Sequence, residues 1–155
     1  MANLTINISY SQICVFDSSL QNPFNDWTDD HVSQGFSWRY NAVSFRTLEE
    51  FGIAEVEVVI KSHIDIKTNT VRAIQVPFTV PENGSIDVAS IEDSKSLEIN
   101  PGRYTLVFET GFDNYGNMWC SLSFVSAFSE EAKILKADDE LNPPPTLVMT
   151  ANPAC

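Results

Sequence analysis

Two histidines, three cysteines and two carboxylate clusters are the residues of this 155-residue chain whose chemistry could go beyond packing. His31 stands beside Asp29 and Asp30 and reads as an exposed histidine flanked by carboxylates; His63 reads as part of the polar face of a strand. Neither belongs to an HExxH spacing, and no GxSxG, GxGxxG or P-loop pattern occurs, so metalloprotease, hydrolase and nucleotide-binding readings lack their motifs. Cys14 and Cys120 lie among apolar residues and read as small buried hydrophobes, the alternative being a disulfide between them; Cys155 ends the chain and is expected to be exposed. A cysteine nucleophile would need a base, and nothing in the sequence places one beside it. The clusters Asp26-Asp29-Asp30 and Asp138-Asp139-Glu140 could ligate calcium, but they lack the D-x-D-x-D-G alternation of an EF-hand loop. No carboxylate pair is marked out for glycoside hydrolysis. The expectation is a protein that is not an enzyme and has no cofactor and no metal.

The elements that must position these residues are mostly strands. Leu4, Ile6, Ile8 and Tyr10 alternate with polar residues, and the pattern runs on through Ile13 to Phe16. From Ala54 to Ile66 the apolar positions Ala54, Val56, Val58, Ile60, Ile64 and Ile66 share one face, with Glu55, Glu57, Lys61, His63 and Asp65 on the other. Ile74, Val76, Phe78 and Val80 repeat the pattern, and Pro77, which lacks a ladder donor, marks an edge or a bulge. Short strands follow at Ile86-Val88 and Leu97-Ile99. A hairpin is expected over Arg103 to Phe128, with Asp113 to Asn117 as its tip. Helix is signalled over residues 27–34, with Asp26 as N-cap, Asp29 completing a capping box and Gly35 as the stop. Two further short strands are expected at Ala132-Ala137 and Thr146-Thr150, separated by acids and by Pro143 to Pro145, which impose an extended crossing. The fold class expected is all-β: an antiparallel β-sandwich of about 8–10 short strands with one short helix. One domain over residues 1–155 is expected, with a Pro-rich extended C-terminal segment at about 138–155.

Charge narrows the function. The chain has 21 acids against 9 Lys and Arg, a net of −12, and residues 1–60 hold eight of the acids and only two of the bases. A protein this acidic is repelled by phosphates, so direct binding to nucleic acid or an anionic membrane is disfavoured. The N-terminus lacks the basic and apolar regions of a signal peptide, and no apolar run approaches a membrane span, which together suggest a soluble, cytoplasmic protein. Asp26, Asp29 and Asp30 form one candidate acidic patch and Glu49, Glu50, Glu55 and Glu57 another, with Trp27, Trp38 and Tyr40 as nearby aromatics. Acids around desolvated aromatics suit an interface with a basic partner, because the charges speed association and the aromatics supply buried contact.

The motifs Ile8-Ser9-Tyr10-x-Gln12, Asp26-Trp27-Thr28-Asp29, Gly35-Phe36 and Ala42-Val43-Ser44-Phe45 stand in sequence, followed by Val76-Pro77-Phe78-x-Val80, Glu82-Asn83-Gly84 and Pro101-Gly102-x-Tyr104-x-Leu106. In kind and order this resembles the competence protein J (ComJ) family over about residues 6–108. Members of that family are small acidic proteins regarded as inhibitors of a DNA-entry nuclease. The resemblance implies a protein partner of that type and assigns no contact residues. Ile134 to Cys155 looks like an extension of the family pattern.

Physical reasoning then supplies a candidate partner-binding set: Asp26, Trp27, Asp29, Asp30, Trp38, Glu49, Glu50, Glu55 and Glu57. Trp27 is either an anchor in that interface or a staple into the core. The alternative function is a Ca2+- or carbohydrate-binding β-sandwich module, with Trp38, Tyr40, Tyr115 and Trp119 as candidate sugar platforms.

Overall fold

A computed structural model of the chain describes residues 2–154, and the expectation for Cys155 lies outside them. Eleven strands and one short helix follow in the order β1 (Ala2–Ile8), β2 (Gln12–Asp17), α1 (Asp29–Gln34), β3 (Phe36–Arg39), β4 (Ala42–Arg46), β5 (Gly52–Lys61), β6 (Arg72–Val80), β7 (Ser85–Ala89), β8 (Ser94–Glu98), β9 (Gly102–Phe112), β10 (Met118–Val125) and β11 (Lys133–Lys136). They form a six-stranded sheet, β1-β5-β10-β9-β6-β11, and a five-stranded sheet, β3-β4-β2-β7-β8. The two sheets bury one apolar core between them, so the architecture is the all-β sandwich that the alternation implies. All pairings are antiparallel except β5 with β10, which run parallel in the register Glu55–Trp119 to Lys61–Val125.

Alternation explains most of the core. Ile6 and Ile8, Ala54 to Val58, Ile74 to Val80, Leu106 and Phe108, and Cys120 to Phe124 point inward from the larger sheet. Ile13, Val15, Val43, Phe45, Ile86 and Val88 meet them from the smaller one. Phe45 and Phe108 stack across the gap, with centroids 4.7 Å apart and planes 10° from parallel. The β9–β10 hairpin has the expected tip, where Asp113 Oδ1 accepts from the Tyr115 and Asn117 amides. Pro77 lies on a stretch of β6 with no outer neighbour, because β11 pairs only with Ala73, Ile74 and Gln75.

Three elements differ locally from expectation. The helix begins at Asp29, not Trp27: Thr28 is its N-cap, and the capping box is closed by His31, whose Nδ1 accepts from the Thr28 amide at 3.0 Å. β5 ends at Lys61, so His63, Ile64 and Ile66 lie off the strand, and Ile60 at its end is half exposed. The chain instead folds back over the outer face of the larger sheet, where buried Glu109 accepts from the Lys67 amide at 2.9 Å and from Thr70 Oγ1 at 2.7 Å. Finally, Thr146–Thr150 forms no strand. It is a strap that crosses α1, with Gln34 bonded to both the amide and the carbonyl of Val148.

Gly35 shows why the helix stops there. Its φ of 88° is left-handed, and a Cβ would stand 3.0 Å from side-chain carbons of both Ile74 and Leu141. The same backbone reversal therefore ends α1 and lets Leu141, ahead of the strap, pack down.

Cys14 and Cys120 are free and fully buried, and burial raises both thiols to about 12 despite their hydrogen bonds with the Ser44 and Thr110 hydroxyls. Neither should react with iodoacetamide at pH 8 in the native protein, while both should react in denaturant; intact-mass spectrometry reads the difference.

Candidate functional site

One end of the sandwich gathers residues that are far apart in sequence. There β1 passes to β2 through a two-residue turn, Tyr10-Ser11, with Ser9 and Gln12 as the closing bridge. The Ser11 amide donates to the Glu50 carbonyl and the Thr47 amide to the Ser11 carbonyl, fixing the 47–51 loop against the turn. Trp27 is pinned from the other side by its Nε1, which donates to Gln12 Oε1 at 3.2 Å. Arg46 at the end of β4 donates to the Val32 carbonyl of α1. The result is a shallow hollow lined by Tyr10, Ser11, Gln12, Trp27, Val32 and Arg46. Asp29, Asp30, Glu49 and Glu50, all exposed, lie on the helix and loop that flank it.

Behind the hollow is an ion-pair network. Arg72 is fully buried and donates from Nε and Nη2 to the two oxygens of Asp138, at 2.7 and 2.8 Å. Its Nη2 also reaches Glu140 at 3.1 Å, and its Nη1 donates to the Arg46 and Thr47 carbonyls. Burial by itself would raise the Asp138 carboxyl, but the hydrogen bonds and charge of Arg72 and two backbone amides outweigh it and hold the group below its ordinary value. Glu140 pairs in turn with Arg46 at 3.6 Å. The cluster Asp138-Asp139-Glu140 is thus largely occupied with arginines, and among the described residues no three His, Cys, Asp or Glu side chains converge as a metal site.

The expected partner-binding residues divide into three places. Trp27 lines the hollow, while Asp29 and Asp30 stand exposed in the first turn of α1 and Glu49 and Glu50 on the 47–51 loop, the two segments beside it. Asp26 is beside it but tied to the strap: its amide donates to the Asn152 carbonyl, and its Oδ1 accepts from the Asn152 amide. Glu55 and Glu57 lie on the outer face of the larger sheet, where Glu55 accepts from Thr5 at 3.0 Å and Glu57 pairs with Lys67 at 3.2 Å. Trp38 is at the opposite end of β4 from Arg46, donating to the Pro77 carbonyl in a separate groove with Tyr40, Phe128 and Met149.

His31 is not exposed. Its Nδ1 takes the Thr28 amide and its Nε2 faces the Thr150 carbonyl at 2.9 Å, an arrangement met by the neutral ring with hydrogen on Nε2. Both ring nitrogens are therefore used in holding the helix cap and the strap. The four candidate sugar-platform aromatics do not share a surface: Trp38 and Tyr40 are near Arg103 at one end of β9, and Trp119 and Tyr115 are at the hairpin tip, roughly 30 Å away along the strand.

Sequence reasoning passed over two exposed aromatics at the hollow. Tyr10 and Phe51 are 62% and 56% exposed, and their rings meet edge to face with centroids 5.8 Å apart. The available signal was the Tyr-Ser pair in a tight turn where Asn-Gly is usual.

This end of the sandwich is thus a shallow surface edged by Tyr10 and Trp27, with exposed carboxylates on the neighbouring helix and loop. The sequence model of the family Competence protein J (ComJ) matches residues 5–125, and the chain belongs to that family. The chain is 29% identical over 103 residues to the DNA-entry nuclease inhibitor of Bacillus subtilis (strain 168), a match spanning 65% of this chain and 75% of that protein. Its fold resembles the crystal structure of ComJ from Bacillus subtilis, an inhibitor of the DNA degrading activity of NucA, with a TM-score of 0.69 and 23% identity over 82% of this chain and 96% of the other. β11 and the strap lie beyond the stretch that the family model matches. Among the described residues, no helix is long and apolar enough to cross a membrane.

Proposed function

We propose that this chain is a protein inhibitor of a DNA-degrading nuclease of the DNA-entry type, and that it acts by laying an acidic face on the cationic surface with which the nuclease binds DNA. What supports the reading is that exposed Asp29 and Asp30 on α1, and exposed Glu49 and Glu50 on the loop bonded to the Tyr10-Ser11 turn, belong to the segments that border the Trp27 hollow, in a chain whose family includes a named inhibitor of such a nuclease. A nuclease must present cations, and often a divalent metal, to phosphate. Carboxylates placed there compete with DNA without any catalytic step of their own. The two free, buried thiols suit a reducing compartment, and we place this action in the cytoplasm.

The test is a titration of the NucA-type nuclease from the organism that makes this chain. Cleavage of plasmid DNA should stop near one equivalent of inhibitor. Stopped-flow association should slow several-fold between 50 and 300 mM salt, conditions chosen because steering between exposed charges is screened over about a Debye length. Undiminished cleavage with the inhibitor in excess would reject the reading.

A further inference from the structure

The turn at Tyr10-Ser11 is built against local preference. Both residues have positive φ, 55° and 58°, values that a two-residue hairpin loop usually fills with Asn and Gly. Tyrosine brings a Cβ clash to that backbone, and its side chain gains little in return from the fold, since it is 62% exposed. What the conformation does achieve is display. It raises the Tyr10 ring beside Phe51, and Val32 and Ile53 on flanking segments are 41% and 68% exposed. Apolar surface of this kind at one end of a protein of net charge −12 marks an interface rather than a solubility feature.

Charge decides which partner fits. Glu50 immediately precedes Phe51, Glu49 precedes Glu50, and Asp29 and Asp30 are on the helix that supplies Val32. Arg46, the one base among the residues lining the hollow, is paired with Glu140. The aromatic faces are thus offered within an anionic surround, which favours a guanidinium or ammonium group over an anionic or neutral ligand.

We propose that the Tyr10–Phe51 pair is the anchor of the inhibitory interface, and that it receives an arginine or lysine side chain from the phosphate-binding surface of the nuclease, by contact with the ring faces and by ion pairing to Glu49 or Glu50. This rests on the nuclease-inhibitor reading and names the contact that gives it residence time. The rim acids set the association rate, and the aromatic pair sets the dissociation rate.

The experiment uses the full-length chain and the NucA-type nuclease of the same organism, with three variants: Tyr10→Gly, Phe51→Ala and, at the far end of β4, Tyr40→Ala. Glycine relieves the left-handed backbone, so Tyr10→Gly should melt at or above the wild-type temperature and yet dissociate from the nuclease about 30-fold faster, the loss typical of an interface hot spot. Phe51→Ala should behave alike in dissociation, and Tyr40→Ala should stay within about twofold of wild type. If wild-type protein inhibits and both Tyr10→Gly and Phe51→Ala remain within about twofold, the anchor is refuted while the inhibitor reading stands. If wild-type protein does not inhibit at all, both are refuted.

Discussion

Replacing Arg72 with alanine is expected to destabilise the protein by about 3–5 kcal/mol, the usual result of deleting one partner of a buried ion pair. For a domain of this size that lowers the melting temperature by roughly 10 °C, measurable by circular dichroism. The reason is the number of groups that rely on one guanidinium. Asp138 loses a bidentate partner, the Arg46 and Thr47 carbonyls lose their donor, and Glu140 retains only Arg46. A drop of less than about 2 °C would mean that the network is dispensable. Acid provides a separate check. The folded Asp138 carboxyl is held below its ordinary value of 3.8, so its contribution is complete above that pH and is lost as pH falls through the lower, folded value. The difference between wild type and Arg72→Ala should therefore be constant near neutrality and narrow only below about pH 3.8.

The second large effect is on association. Reversing Asp29, Asp30, Glu49 and Glu50 to lysine changes the net charge from −12 to −4, since each reversal adds two charges. Association with the nuclease should slow on the order of 100-fold at low salt, with the deficit shrinking as salt is raised. The four carboxylates make no ion pairs among the described residues, so the fold should tolerate the change, apart from a small loss at the N-terminus of α1. Reversing Glu82 and Glu98 at the other end of the sandwich, set against reversing Glu49 and Glu50 alone, controls for net charge, since either pair changes it from −12 to −8. Equal slowing by the two pairs would remove the rim from the interface.

The parts of this molecule that could be read from sequence are those governed by period and turn chemistry. Alternation located Ala54 to Val58 on the inner face of β5, and Asp113 to Asn117 stood out as a hairpin tip because Asn and Gly there permit the turn. Pairing between sheets and ends has no such periodicity. Nothing local says that Ser11 bonds to Glu50, or that Gln12 holds Trp27, so the hollow between the β1–β2 turn, Trp27 and α1 emerged only from the topology. Arg72 was invisible for a related reason: its place on the inward face of β6 looks like an error in the pattern until Asp138 arrives 66 residues later. His31 misled because a capping box normally uses Glu or Gln at the third position, and histidine can do the same when its Nε2 has a second acceptor. Tyr10 continued an apolar alternation and so read as strand, although the backbone has already reversed there.

The parallel β5–β10 pair also bears on how the protein is made. Glu55 meets Trp119, so β5 leaves the ribosome with one edge that cannot be paired until 64 further residues have followed. At about 5–20 residues per second, that leaves an open strand edge for several seconds, and such nonlocal pairing is slow even in a complete chain. Asp138 is synthesised later still, and until it arrives Arg72 cannot enter the core with its charge balanced. A chain cut short before Asp138 should therefore keep an unpaired cation at the end of its core and be digested by protease faster than the full chain.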